Sequence, residues 1–157
     1  MPFMSSCSRV SDFNGDGRSD ILWRHSSGMV YVTLMYGSTI TSGSGKVTTI
    51  GSDWDIAGVS DFNGDGKSDI LWRHSSGMVY VTLMDGSTIT SGSGKVTTVS
   101  SDWDILFSLG DDYNGNGRGD ILWRHSSGDV YITLMDGVTI TSGSGKVTTV
   151  GSDWVIE

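Results

Sequence analysis

The sequence predicts an all-β protein of short antiparallel strands, and three observations carry that expectation. The 157 residues include 23 glycines and a single proline; glycine inside a helix costs about 1 kcal/mol relative to alanine, whereas tight turns need its freedom of φ. The block DILWRHSSGMVYVTLMDGSTITSGSGKVTTV at 69–99 has close copies beginning at Asp20 and Asp120. The step is 49 residues from Trp23 to Trp72 and 51 from Trp72 to Trp123, the extra pair lying in LFSLGD at 106–111. Within each period, alternation and turn residues mark four strands.

Taken in order in the middle copy, DIAGVSD opens the repeat as a first strand, followed by an acidic loop. DILWRH is the second strand, SSG a tight turn, MVYVTLM the third strand, DGSTITSGSG a loop and KVTTV the fourth strand. Four strands in such a period make one blade of a β-propeller, and self-similarity at that spacing is the mark of propellers, solenoids or arrays. The chain then holds three blades, at about 5–53, 54–102 and 103–157. The second and third strands are apolar on both pleat faces, Ile70 and Trp72 against Leu71, and Val79 and Val81 against Tyr80. A sheet stacked between two neighbours needs that. Trp23, Trp72 and Trp123 are accordingly expected in the core. The fourth strand, rich in Thr and carrying Lys95, suits an outer edge protected from stray pairing.

The loops between first and second strands read DFNGDGRSD at 12–20, DFNGDGKSD at 61–69 and DYNGNGRGD at 112–120. Side-chain oxygens recur at loop positions 1, 3, 5 and 9: Asp12, Asn14, Asp16 and Asp20; Asp61, Asn63, Asp65 and Asp69; Asp112, Asn114, Asn116 and Asp120. Position 7, occupied by Arg18, Lys67 and Arg118, offers a backbone carbonyl. Glycines such as Gly64 and Gly66 permit the left-handed turns that would fold these oxygens around one point. Hard oxygen donors in a flexible loop are what Ca²⁺ takes. The expectation is three Ca²⁺ ions per chain, the third held least tightly because Asn116 removes one ligand charge. Asx-rich turns without metal are the competing reading.

Charge agrees with the metal. The formal net charge is −8, and the eight loop aspartates equal that excess. The balance argues against a nucleic-acid partner, which needs a basic patch, and equally against an anionic membrane surface. No run of 18 apolar residues exists to span a bilayer. Cys7 is the only cysteine, so no intrachain disulfide forms; it aligns with Ile56, Ile105 and Ile156 and reads as a small apolar packer. The first ten residues lack the apolar stretch of a signal peptide, so either export is signalled elsewhere or this sequence lacks its leader.

The run WDIAGVSDFNGDGKSDILWR at 54–73 resembles the FG-GAP, or VCBS-type, repeat of integrin-like β-propellers, and the likeness recurs in three copies over nearly the whole chain. The resemblance implies Ca²⁺ in the loop between the first and second strands of each blade, on the residues named above. It also implies adhesion or carbohydrate binding. The chain departs from bacterial repeats of this kind at Thr33, Thr82 and Thr133, where they often carry an aromatic.

Three blades fall short of the roughly four to eight that close a propeller. The simplest completion is a second copy of the chain, giving a six-bladed homodimer; further repeats of a longer propeller are the alternative. Ser5 stands where the first repeat should have its Trp54 counterpart, and Trp154 begins a strand that a neighbour could use. Strand direction puts the acidic loops at one face. Trp54, Trp103 and Trp154 gather at the opposite face with Arg24, Arg73, Arg124, His25, His74 and His125, a set suited to stacking on a sugar ring and pairing its hydroxyls. Histidines spread one per blade do not converge as Zn²⁺ ligands must. Nearly every polar residue occurs in triplicate, and the sole glutamate, Glu157, is the last residue, so no unlike groups such as catalysis needs stand out and the chain reads as a lectin-like, extracellular binding module rather than an enzyme. A ligand-free repeat scaffold, natural or engineered, is the runner-up, and a polysaccharide-active enzyme fragment follows.

Overall fold

The computed structural model describes residues 11–106 and 111–156. Ser5, Cys7 and nearly all of the expected first strand of repeat one lie outside the described residues, as do most of LFSLGD and Glu157. Among the described residues every regular element is a strand and every pairing is antiparallel. The first repeat supplies β1 (Ile21–Arg24), β2 (Met29–Thr33), β3 (Met35–Tyr36), β4 (Thr39–Ile40) and β5 (Gly45–Thr49). The second supplies β6 (Trp54–Ser60), β7 (Asp69–His74), β8 (Met78–Thr82), β9 (Met84–Asp85), β10 (Thr88–Ile89) and β11 (Gly94–Thr98). The third supplies β12 (Trp103–Leu106), β13 (Ile121–His125), β14 (Asp129–Thr133), β15 (Met135–Asp136), β16 (Thr139–Ile140) and β17 (Gly145–Thr149).

Repeats two and three each form a four-stranded sheet, β6-β7-β8-β11 and β12-β13-β14-β17, while the described part of repeat one forms β1-β2-β5. These are the four strands the sequence predicts, with Lys95 on the edge strand β11. The turn after β7 depends on one glycine. Gly77 donates its N–H to His74 O (2.8 Å) and accepts from Val99 N (3.0 Å). Its φ is +92°, and a Cβ there would stand 2.0 Å from Val99 O.

The third strand differs from expectation. MVYVTLM does not run unbroken: β8 stops at Thr82, and β9 and β10 form a small hairpin inside what reads as a loop. The polar neighbours explain the break. Ser93 Oγ accepts Leu83 N–H (2.8 Å), Leu83 O accepts Thr90 N–H (2.8 Å), and Asp69 Oδ1 accepts Met84 N–H (2.9 Å), so the backbone leaves its ladder for better-placed partners.

The sheets stack face to face. Val30 and Val32 of β2 share a core with Ile70 and Trp72 of β7, and Val79 and Val81 of β8 share a second core with Ile121 and Trp123 of β13. Both faces of the middle sheet are therefore buried, which is why its strands are apolar throughout. The tryptophan of each second strand donates Nε1–H to a threonine across its strand pair, Trp23 to Thr33, Trp72 to Thr82 and Trp123 to Thr133, at 2.8–2.9 Å. Trp72 and Trp123 are 3% exposed, as expected of core residues. Trp23 is 52% exposed, because the described chain places no sheet over the face of β1.

Candidate functional site

Each acidic loop is organised by its first and last aspartates. Asp61 receives N–H groups from Gly64 (2.7 Å) and Asp65 (3.2 Å) on Oδ1 and from Gly66 (2.7 Å) on Oδ2. Gly64 and Gly66 have φ near +80°, the left-handed turns the sequence implies. Asn63 and Asp65 close smaller turns within the loop. Asp69 faces the other way: its oxygens accept from Phe62 (2.9 Å) and from Met84 (2.9 Å), tying the loop to the hairpin β9–β10. Asp12 and Asp20, and Asp112 and Asp120, repeat the pattern.

These environments separate the carboxyls. Burial pushes Asp69 up to about 7 against the pull of the Met84 and Phe62 N–H groups, and the charges of Asp61 and Asp65 add to the rise. Burial likewise raises Asp20 and Asp61. At Asp112 the upward pull of burial is outweighed by the N–H groups of Gly117, Asn116 and Gly115, which hold it below the usual carboxylate range.

By donor type, Asp, Asn and carbonyl oxygen suit a hard divalent cation. By position they are not converged here: the carboxylates face backbone N–H groups, and among the described residues no three His, Cys, Asp or Glu side chains gather as a metal centre.

Sequence reasoning missed a second task of the loops. Asp12 O accepts Ser68 N–H (2.7 Å) and Phe13 O accepts Gly86 N–H (2.7 Å), while Asp61 O and Phe62 O accept from Gly119 (2.6 Å) and Gly137 (2.7 Å). Every such bond joins one repeat to the next. The side chains follow, with Phe13 and Phe62 buried beneath the following repeat. The cue available in the sequence was the apolar Phe13 and Phe62 beside the leading aspartates Asp12 and Asp61.

At the opposite end of the sheets, register sets Trp54 across from His74 and Trp103 across from His125. The rings meet edge-on or tilted, with centroids 4.7 and 4.8 Å apart. In all three repeats the N–H of Ser27, Ser76 or Ser127 donates to Nδ1 of the histidine two residues earlier. The neutral ring then carries its proton on Nε2, available to an acceptor. Trp103 shares an open depression of 330 Å³ with Arg73 and His74 of the preceding repeat. Trp154 shares another, of 460 Å³, with Arg124 and His125. Arg24 and His25 line a third without Trp54.

Arg24 and Arg73 also reach the next repeat, whereas Arg124 bonds within its own. Arg73 Nη2 donates to Ser100 O (3.0 Å), with Val99 O and Trp103 O at 3.4 Å, and its charge lies 5.9 Å from the Trp123 ring centre. Its Nη1 is buried without a partner among the described residues. Arg124 donates to Trp154 O (2.7 Å) and Gly151 O (2.9 Å), whereas Arg24 pairs with Asp55 (3.0 Å).

Residues 12–72, from the first acidic loop to the tryptophan of β7, match the FG-GAP-like repeat. Over that segment the chain is similar to this repeat family. No curated protein and no solved structure matches the chain. An FG-GAP-like repeat in an all-β chain of antiparallel sheets points to a β-propeller-like binding module.

Proposed function

We propose that the chain is a multivalent carbohydrate-binding module, Ca²⁺-stabilised and working outside the cell, without catalytic activity. The observation that carries the reading is the repeated grouping of Trp, Arg and His: Trp103 with Arg73 and His74, and Trp154 with Arg124 and His125, in separate depressions. An aromatic plane stacks on the apolar face of a sugar, and guanidinium and imidazole N–H groups pair its hydroxyls. Weak sites repeated on one rigid body gain affinity by avidity. Ca²⁺ enters on donor chemistry alone, and extracellular levels fill loop sites with Kd of about 10⁻⁴ to 10⁻³ M. The assembly proposed is a six-bladed ring of two copies.

The test is a glycan array in millimolar Ca²⁺. Binding of a defined glycan class is expected, with at least a tenfold loss in Trp103→Ala while its circular dichroism is retained. A blank array for the parent protein overturns the carbohydrate reading and leaves the repeat scaffold.

A further inference from the structure

The two ends of the stack are complementary, and each resembles one side of the junctions inside the chain. At the first-repeat end, Ile21 is 38% and Trp23 52% exposed, whereas their counterparts Ile70, Ile121, Trp72 and Trp123 are all at or below 3%. At the third-repeat end, Tyr113 is 43% exposed against 0% for Phe13 and 2% for Phe62. Val147 is 57% exposed, while Val47 and Val96 pack against the two cores.

The backbone repeats the asymmetry. Inside the chain, carbonyls at loop positions 1 and 2 accept from the next repeat's Ser68 and Gly86, or Gly119 and Gly137. Among the described residues, Asp112 O and Tyr113 O receive no such bond, and Ser19 and Gly37, the counterparts of those donors, give none; both are exposed, whereas Ser68 and Gly86 are buried.

The same division runs through a repeated cleft. One cleft takes Thr48 and Ile50 from repeat one and Trp72, Tyr80 and Thr82 from repeat two (240 Å³). Its copy takes Thr97 and Val99 from repeat two and Trp123, Tyr131 and Thr133 from repeat three (280 Å³). The third copy is split: Thr148 and Val150 stand at one end of the chain, Trp23, Tyr31 and Thr33 at the other.

We propose that two copies of the chain join head to tail, the outer face of the third sheet in one covering the Trp23 face in the other, so that each junction completes a cleft that neither copy holds alone. The proposal rests on the two-copy propeller reading above and names the faces that meet. The occupant is a second copy because the surface each end needs is already built inside the same chain: Tyr113 O meets Gly37 N–H, Asp112 O meets Ser19 N–H, and Val147 and Val150 close over Trp23. The contact is heterologous, since different patches meet, and it closes when both ends are used.

Sedimentation of the intact chain without glycan tests this independently of the ligand. Twice the 16.8 kDa chain mass is expected. Trp23→Lys and Val150→Lys, at opposite ends, should each sediment as monomers with unchanged circular dichroism, and an equimolar mixture should recover a pair through its one intact junction. A monomeric parent overturns the proposal. So does a Val150→Lys dimer as tight as the parent, which would mean that pairing uses one end only. A blank glycan array alters none of these results.

Discussion

Asp69 is the residue at which burial and charge compete most openly. Its carboxyl is pushed up to about 7 from the ordinary 3.8 by burial, although Met84 and Phe62 donate to it. A carboxyl with a raised folded-state pKa binds its proton more tightly in the native state. Its contribution to stability is therefore complete below about 3.8 and is lost as pH rises to about 7. Urea denaturation should show stability falling between those pH values in the metal-free parent. In Asp69→Asn that fall should shrink by at most about 4 kcal/mol across the window, since each tenfold change in proton activity is worth about 1.4 kcal/mol. Equal slopes in parent and variant would remove Asp69 as the cause. Asp20 and Asp61, also raised by burial, act in the same direction. Thr82 is quieter but as specific: it accepts the Trp72 Nε1–H at 2.8 Å, so a buried indole donor is not left unpaired.

Among the elements, the turn between β7 and β8 is the least tolerant. Gly77→Ala places a Cβ 2.0 Å from Val99 O at φ +92°, so either the turn or the exit of β11 must move. A loss of about 2 kcal/mol or more is expected in chemical denaturation, and a loss under about 0.5 kcal/mol would contradict the geometry. The strands themselves were legible in the sequence. DILWRH is β7, KVTTV overlaps β11, and DIAGVSD lies mostly within β6, because alternation and glycine turns are local properties. The hairpin β9–β10 was not legible. It depends on Ser93 and Asp69 capturing the N–H groups of Leu83 and Met84, contacts made ten and fifteen residues away. The acidic loops were recognisable by composition, yet their carboxylates face backbone N–H groups, a geometry that residue spacing does not specify. The grouping of Trp103 with Arg73 and His74 followed from strand direction, while the bond from Arg73 to Trp103 O in the next repeat did not.

For the whole molecule, the question put to experiment is what neutralises a formal charge of −8. If Ca²⁺ occupies the loops, EDTA should lower the melting temperature and Ca²⁺ restore it, each site adding about 1.4 kcal/mol when the free ion is at ten times its Kd. The loop at 112–120 should empty first, since Asn116 carries no charge. A melt indifferent to both reagents would leave the N–H to carboxylate bonds as the sole organisers of the loops. Net charge would then act only as self-repulsion, favouring low pH and high salt.

The bonds from Ser68 to Asp12 and from Gly119 to Asp61 give damage an address. The central loop is a link with hands on both sides: it gives a carbonyl forward and an amide backward, so a defect there slackens both neighbouring seams. The loop at 112–120 holds on in one direction only within the described chain, and the same injury there stays local.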